Sequence, residues 1–128
     1  MAVNMSMRIL IVDDFKTMLK IVDSMLRQLG FSQIEEATDG TMALQKLKNS
    51  KFDLVLSDWN MEPMTGLDLL KQVRLDPALK HLPFVLITAE SKTDNIIAAK
   101  QAGVNNYIVK PFNANTLKEK LTAVLGQF

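Results

Sequence analysis

Short apolar runs alternate with amphipathic helical stretches along the whole chain. Five runs of three to five residues are apolar or β-branched in large part, and each precedes a stretch with apolar residues three or four positions apart. The predicted strands span residues 9–12, 33–37, 54–56, 84–87 and 107–109. The pattern therefore predicts five units, each a β-strand followed by an α-helix.

Residues typical of helix ends mark the boundaries of these helical stretches. Side chains that accept hydrogen bonds from a first helical turn precede three of them: Asp39, Thr65 and Asn113. Ser91, with Asp94 three positions later, predicts the start of the fourth helix. Gly30 follows the first helical stretch, where a glycine commonly ends a helix.

The order of the elements indicates an α/β fold. Because a helix separates successive strands, we expect a parallel sheet with helices on both faces. Residues 33–37 include Glu35 and Glu36 and are predicted to form an edge strand, since sheet edges tolerate charge. The sequence thus predicts one doubly wound domain over its 128 residues, with a core from about residue 8 to residue 125.

Composition and charge narrow the class of protein. The net charge is +1 and no dense Lys/Arg run occurs, which argues against a nucleic-acid or membrane-surface partner. The absence of cysteine excludes a disulfide framework and a thiolate zinc site. No apolar run reaches transmembrane length, so we expect a soluble cytoplasmic protein.

Polar side chains follow four of the five predicted strands. They are Asp13 and Asp14 after the first strand, Asp58 after the third, Thr88 after the fourth and Lys110 after the fifth. Each one alone is typical of a turn, a helix cap or the surface. The carboxyl ends of parallel strands share one edge of the sheet, where such folds bind ligands. We therefore expect all five side chains to converge there.

Three clustered carboxylates require positive charge nearby. Two carboxylates about 4 Å apart repel by roughly 4 kcal/mol at an effective dielectric constant near 20. Lys110 supplies one charge, and a divalent cation would supply the rest; an all-oxygen site suits Mg²⁺. The candidate chemistry is phosphoryl transfer onto Asp58, with Lys110 neutralising phosphoryl oxygens and Thr88 donating a hydrogen bond.

Four short motifs carry a resemblance to a known family. They are Ile11-Val12-Asp13-Asp14, Ser57-Asp58-Trp59-Asn60-Met61, Thr88-Ala89-Glu90 and Val109-Lys110-Pro111-Phe112. The chain resembles the receiver domain of two-component response regulators, most of all the single-domain chemotaxis receivers of the CheY type. The resemblance covers residues 8–125 and implies a flavodoxin-like (βα)5 fold with strand order 2-1-3-4-5.

The resemblance also implies a role for each polar residue at the predicted edge. Asp58 would be the phosphoacceptor, and Thr88 and Lys110 would contact the phosphoryl group. Tyr107 would be an aromatic switch. The implied Mg²⁺ ligands are Asp13, Asp14, Asp58 and the backbone carbonyl of Asn60. Such a protein catalyses only its own phosphorylation and dephosphorylation, so we expect a signalling protein rather than an enzyme.

The implied partners are proteins. The phosphodonor would be a CheA-like sensor histidine kinase, and small donors such as acetyl phosphate would serve as well. No output domain follows the last predicted helix, so we expect a monomer that signals by binding another protein. The resemblance implies that this protein is the flagellar motor switch protein FliM. A phosphatase is a further expected partner. A phosphate sink, or a regulator of a protein other than the motor, is the alternative.

One stretch departs from the pattern of the family it resembles. Family members usually read Met-Pro-x-Met-Asp-Gly after the phosphoacceptor, whereas this chain has a proline displaced by one place, in Met61-Glu62-Pro63-Met64-Thr65-Gly66. Glu62 adds a carboxylate, which either faces solvent or contacts the metal or its waters. Thr65 replaces the usual aspartate and keeps its capping role.

Two other classes of function fit the same residues less well. An aspartyl-phosphate hydrolase of the haloacid dehalogenase type requires a second aspartate two residues after the nucleophile, where this chain has Asn60. A flavodoxin-like cofactor carrier requires a first loop rich in Ser, Thr and Gly, whereas this loop is acidic. The single histidine, His81, is predicted to be a surface residue.

Overall fold

The computed structural model describes residues 5–89 and 93–126 and consists of alternating strands and helices. The strands are β1 (Arg8–Val12), β2 (Gln33–Ala37), β3 (Leu54–Asp58), β4 (Phe84–Thr88) and β5 (Asn106–Val109). The helices are α1 (Lys16–Gln28), α2 (Gly40–Asn49), α3 (Gly66–Leu75), α4 (Thr93–Gln101) and α5 (Ala114–Leu125). Within the described ranges, no helix is long and apolar enough to cross a membrane.

The five strands form one parallel sheet in the order β2-β1-β3-β4-β5. The predicted α/β fold, its strand order and the edge position of residues 33–37 are confirmed. The chain first moves outward from β1 to β2 and then returns to the other side of β1 for β3. The order of strands therefore reverses between β1 and β3, which is where sheets of this kind form a crevice for ligands.

The sheet separates two apolar layers. Alternate residues of β1 point into opposite layers, with Leu10 on the side of α2, α3 and α4 and Ile9 on the side of α1 and α5. Every residue of β3 and β4 is buried, as expected for central parallel strands covered on both faces. This packing fixes the carboxyl ends of the central strands, so residues just beyond them are held in place.

The predicted helix caps are confirmed at Asp39, Thr65 and Asn113, where each side chain accepts a backbone N–H of the first turn. Gly30 lies just beyond α1 with φ 111°, a left-handed conformation that favours glycine. The predicted start of the fourth helix at Ser91 lies outside the described residues.

Candidate functional site

The ends of β1 and β3 carry the acidic residues to one crevice. The Asp13 N–H donates to the carbonyl of Ala37 on β2 at 3.1 Å, so strand pairing continues to the first acidic residue. Asp58 is the last residue of β3, and the next N–H, of Trp59, donates to the carbonyl of Ile87 at 2.9 Å. Both carboxylates are thus attached to backbone that the sheet holds rigidly.

Three carboxylates meet in this crevice. Oxygen atoms of Asp13, Asp14 and Asp58 all lie within 4.8 Å of one another. Asp13 and Asp58 are buried, with 6% and 5% of their surface exposed, whereas Asp14 is exposed. The predicted convergence of the three acidic residues is confirmed, and the cluster has a buried floor and a side open to water.

Lys110 supplies positive charge directly to the cluster. Its Nζ lies 2.7 Å from Oδ1 of Asp58 and 3.9 Å from Oδ2 of Asp13. The Lys110 N–H donates to the carbonyl of Thr88 at 2.7 Å, which fixes the lysine backbone against the end of β4. One ammonium group against three carboxylates leaves two negative charges when all are ionised, a deficit that matches one divalent cation.

Burial changes the titration of the two inner carboxyl groups. The pKa of Asp13 is raised from 3.8 to about 6, chiefly by burial and also by the negative charge of the nearby Asp58. The hydrogen bond from the Phe15 N–H, 2.9 Å away, opposes this rise. Burial also raises the pKa of Asp58, while the Lys110 ammonium acts in the opposite direction. A bound cation would stabilise both groups in their ionised form.

Thr88 and Tyr107 occupy neighbouring strands on the same side of the sheet. Thr88, which ends β4, is 3% exposed and faces the same side as Leu86, two residues earlier. Tyr107 pairs with Leu86 in the register of β4 and β5, and both side chains pack in the layer formed with α2, α3 and α4. The half-buried Tyr107 ring has the Lys120 ammonium 4.9 Å from its centre.

Gly66 is a residue of the site that sequence reasoning did not single out. Its N–H donates to the carbonyl of Trp59 at 2.9 Å, which closes the loop after β3. A Cβ atom at this position would lie 2.2 Å from the carbonyl oxygen of Asp58, so only glycine fits. The available signal was a glycine at the first position of a helix, directly after the cap residue Thr65.

Asn60, the remaining predicted metal ligand, and Glu62 lie on an open cavity beside the cluster. The cavity has a volume of about 370 Å³ and is lined by Asp14, Asn60, Met61, Glu62 and Thr65. Glu62 is exposed, and it does not belong to the group of described acidic residues that are close enough together to hold a metal ion.

The single histidine, His81, is exposed, so its predicted surface position is confirmed.

Comparisons with known protein families and with individual proteins agree on one family. Residues 9–122 match the family described as the response regulator receiver domain. The chain is 60% identical over 121 residues to the chemotaxis protein CheY-3 of Vibrio cholerae, a match that covers 94% of this chain and 93% of that protein.

Two solved structures share the fold. The chemotaxis response regulator CheY4 of Vibrio cholerae superimposes with a TM-score of 0.87 at 35% identity, covering 94% of this chain and 99% of that chain. The receiver domain of a sensor histidine kinase from Pseudomonas aeruginosa gives a TM-score of 0.85 at 25% identity, covering 95% and 99%; it is described with a magnesium ion coordinated in its active site cleft.

Proposed function

The chain belongs to the response regulator receiver domain family, and we propose that Asp58 is its phosphoacceptor in a cytoplasmic chemotaxis pathway. Membership of this family makes it a signalling protein whose switch is phosphorylation, not a classical enzyme. The observation that carries the proposal is the position of Asp58: it shares a cluster with two further carboxylates, and Lys110 Nζ lies 2.7 Å from its Oδ1.

The donor set fits Mg²⁺. Three carboxylates offer hard oxygen ligands within 4.8 Å of one another, and the exposed Asp14 leaves room for the waters that this ion retains. We assign the ligands as Asp13, Asp14, Asp58 and the backbone carbonyl of Asn60. When bound, the ion would neutralise charge on the phosphoryl oxygens. The similar Pseudomonas aeruginosa receiver domain, described with magnesium in its cleft, supports this assignment.

The reaction that we propose is transfer of a phosphoryl group between two proteins. A carboxylate oxygen of Asp58 attacks the phosphorus of a phosphohistidine on a CheA-like sensor kinase, and the P–N bond breaks. The histidine leaves with the bonding electrons and takes up a proton, while Asp58 becomes an acyl phosphate. Later attack of water on phosphorus releases inorganic phosphate and restores the carboxylate.

Two side chains of the fold are placed to stabilise the transferred group. The Lys110 ammonium, already 2.7 Å from Oδ1 of Asp58, would pair with phosphoryl oxygens as charge accumulates on them. We assign to the Thr88 hydroxyl a hydrogen bond to the same group. Support comes from the 2.7 Å bond between the Lys110 N–H and the Thr88 carbonyl, which couples the two residues through the backbone.

The switch that we infer passes from Thr88 to Tyr107. Phosphorylation adds negative charge and acceptor oxygens at the crevice and draws Thr88 toward them. Because Tyr107 lies beside Leu86 on the same side of the sheet, displacement of Thr88 opens space for the ring to turn inward. That motion would take the ring away from Lys120 and change the surface formed by α4, β5 and α5.

The effector that we propose is the flagellar motor switch protein FliM. Support comes from the similarity to CheY-3 of Vibrio cholerae, which is named a chemotaxis protein. A phosphate sink, or a regulator of a different protein, is the alternative. The two are distinguished by binding: only the motor hypothesis requires the phosphorylated chain to bind FliM more tightly than the unmodified chain.

The phosphoacceptor is tested by intact mass after incubation with Mg²⁺ and acetyl phosphate. We expect wild type to gain one phosphoryl group and Asp58→Asn to gain none. Asp23→Asn, which removes a surface carboxylate paired with Arg27 on α1, is the control and should be modified like wild type. Modification of Asp58→Asn to the wild-type extent would show that the acceptor is another residue.

A further inference from the structure

The loop between β3 and α3 brings one additional carboxylate to the mouth of the proposed metal site. Glu62 lines the same cavity of about 370 Å³ as Asp14 and the proposed ligand Asn60. Two of the five residues that line this cavity are acidic, and none of those five is basic. The Lys110 ammonium at the adjoining carboxylate cluster is already paired with Asp58 and Asp13. The opening of this cavity, which we call the cavity mouth, is therefore negatively charged.

Packing on both sides of Glu62 holds this loop in position. Met61 is 3% exposed and packs in the core layer of α2 and α3. Met64 lies against the first turn of α2, where a Cβ atom on Gly40 would fall 2.8 Å from its Sδ. The bond from the Gly66 N–H closes the loop. Glu62 is exposed between these two anchored methionines, so its charge stays at the cavity mouth.

We propose that Glu62 tunes the site by its charge, strengthening the binding of Mg²⁺ and slowing reaction with small anionic phosphodonors. The inference rests on the proposed phosphorylation of Asp58. Glu62 acts through solvent and not by direct contact, and it discriminates between phosphodonors by their charge. The same negative charge attracts a divalent cation and repels a phosphate dianion that must enter through the mouth. The two effects therefore have opposite signs.

The size of each effect follows from a unit charge acting through water. At low ionic strength we expect neutralising Glu62 to weaken Mg²⁺ binding by about threefold, because a divalent ion a few ångströms beyond contact senses the charge through high dielectric. At about 1 M salt the screening length falls to about 3 Å, and the difference should almost vanish. A direct metal ligand would instead retain its effect at high salt.

The first test measures Mg²⁺ affinity. Mg²⁺ is titrated into wild type, Glu62→Gln and Glu62→Lys, with Trp59 fluorescence as the signal, at low and at high salt. We expect affinity to fall in that order at low salt and to converge at high salt. Glu119→Gln, which neutralises an exposed residue in the middle of α5, is the charge-matched control and should bind like wild type. Unchanged affinity in both Glu62 variants, or a loss that persists at high salt, would overturn the inference.

The second test compares phosphodonors of different charge at saturating Mg²⁺. Glu62→Gln should react about two- to threefold faster than wild type with the acetyl phosphate dianion, and gain less with the phosphoramidate monoanion. An equal change with both donors would indicate a structural effect and contradict the proposal. Wild type that neither binds Mg²⁺ nor reacts would refute the proposed function itself, whereas a normal wild type with unresponsive Glu62 variants refutes this inference alone.

Discussion

Replacing Asp13 by asparagine should make the metal-free protein more stable at neutral pH. Asp13 is 6% exposed, and burial together with the neighbouring Asp58 raises its pKa from 3.8 to about 6. At pH 7 the folded protein therefore carries an ionised carboxylate in surroundings that disfavour the charge. Asparagine keeps an oxygen that accepts the bond from the Phe15 N–H, 2.9 Å away in the wild type, and removes the charge.

The magnitude follows from the difference in proton affinity between the folded and unfolded states. A rise in pKa from 3.8 to about 6 corresponds to about 3 kcal/mol of stability lost when Asp13 ionises. Because the folded state holds the proton more tightly, the loss is absent below about pH 4, grows with rising pH, and is complete above about pH 6. Burying the amide group of asparagine offsets part of the gain, so we expect about 2 kcal/mol at pH 7.

The assay is urea denaturation in the presence of a chelator, for wild type and Asp13→Asn, between pH 4 and pH 7.5. At pH 7.5 the unfolding midpoint of the variant should rise by about 1 M, and the difference should shrink towards pH 4. Saturating Mg²⁺ should narrow or reverse the difference, because only wild type retains all three carboxylates. A variant that is less stable than wild type at pH 7.5 without metal, or a difference independent of pH, would refute the reasoning.

Further substitutions test the loop, the lysine and the acceptor. Gly66→Ala should lower the free energy of unfolding by about 3 kcal/mol, measured by urea denaturation, because its Cβ would meet the Asp58 carbonyl oxygen at 2.2 Å; wild-type stability would contradict this. Lys110→Ala should remove the difference in FliM affinity between the phosphorylated and unmodified forms, measured by calorimetry, and a retained difference would exclude Lys110 from the switch. Trp59 fluorescence should respond to Mg²⁺ and again to acetyl phosphate in wild type, and Asp58→Asn should lose the second response.

Much of the fold could be predicted because each strand and helix is encoded by its own residues. The apolar run of β4 and the capping box of Thr65 with Asp68 are local signals, and local sequence is sufficient to interpret them. The order of strands is different. Helical crossovers require a parallel sheet but allow several orders, so the order 2-1-3-4-5 came from the family resemblance and not from periodicity.

The convergence of the acidic residues could also be predicted, because it follows from topology. A parallel sheet places every carboxyl end at one edge, so residues that follow β1 and β3 reach the same edge whatever their distance in sequence. They are neighbours there because the strand order places β3 beside β1. Two of the strands, β3 and β4, also extend further than predicted at this edge. Asp58 belongs to β3, because the adjacent Trp59 N–H still donates to the Ile87 carbonyl across the sheet.

The contacts that shape the site depend instead on pairs of residues that no local pattern links. The need for glycine at position 66 arises from the Asp58 carbonyl, eight positions earlier, and the anchoring of Met64 arises from Gly40 in a different helix. The raised pKa of Asp13 requires knowing how deeply it is buried, which sequence alone does not give. Topology therefore determines which residues meet at the crevice, whereas packing determines how rigidly they are held. For this reason the sequence alone allows two interpretations of Glu62, whose position depends on packing, whereas the structure places it on the cavity shared with Asp14.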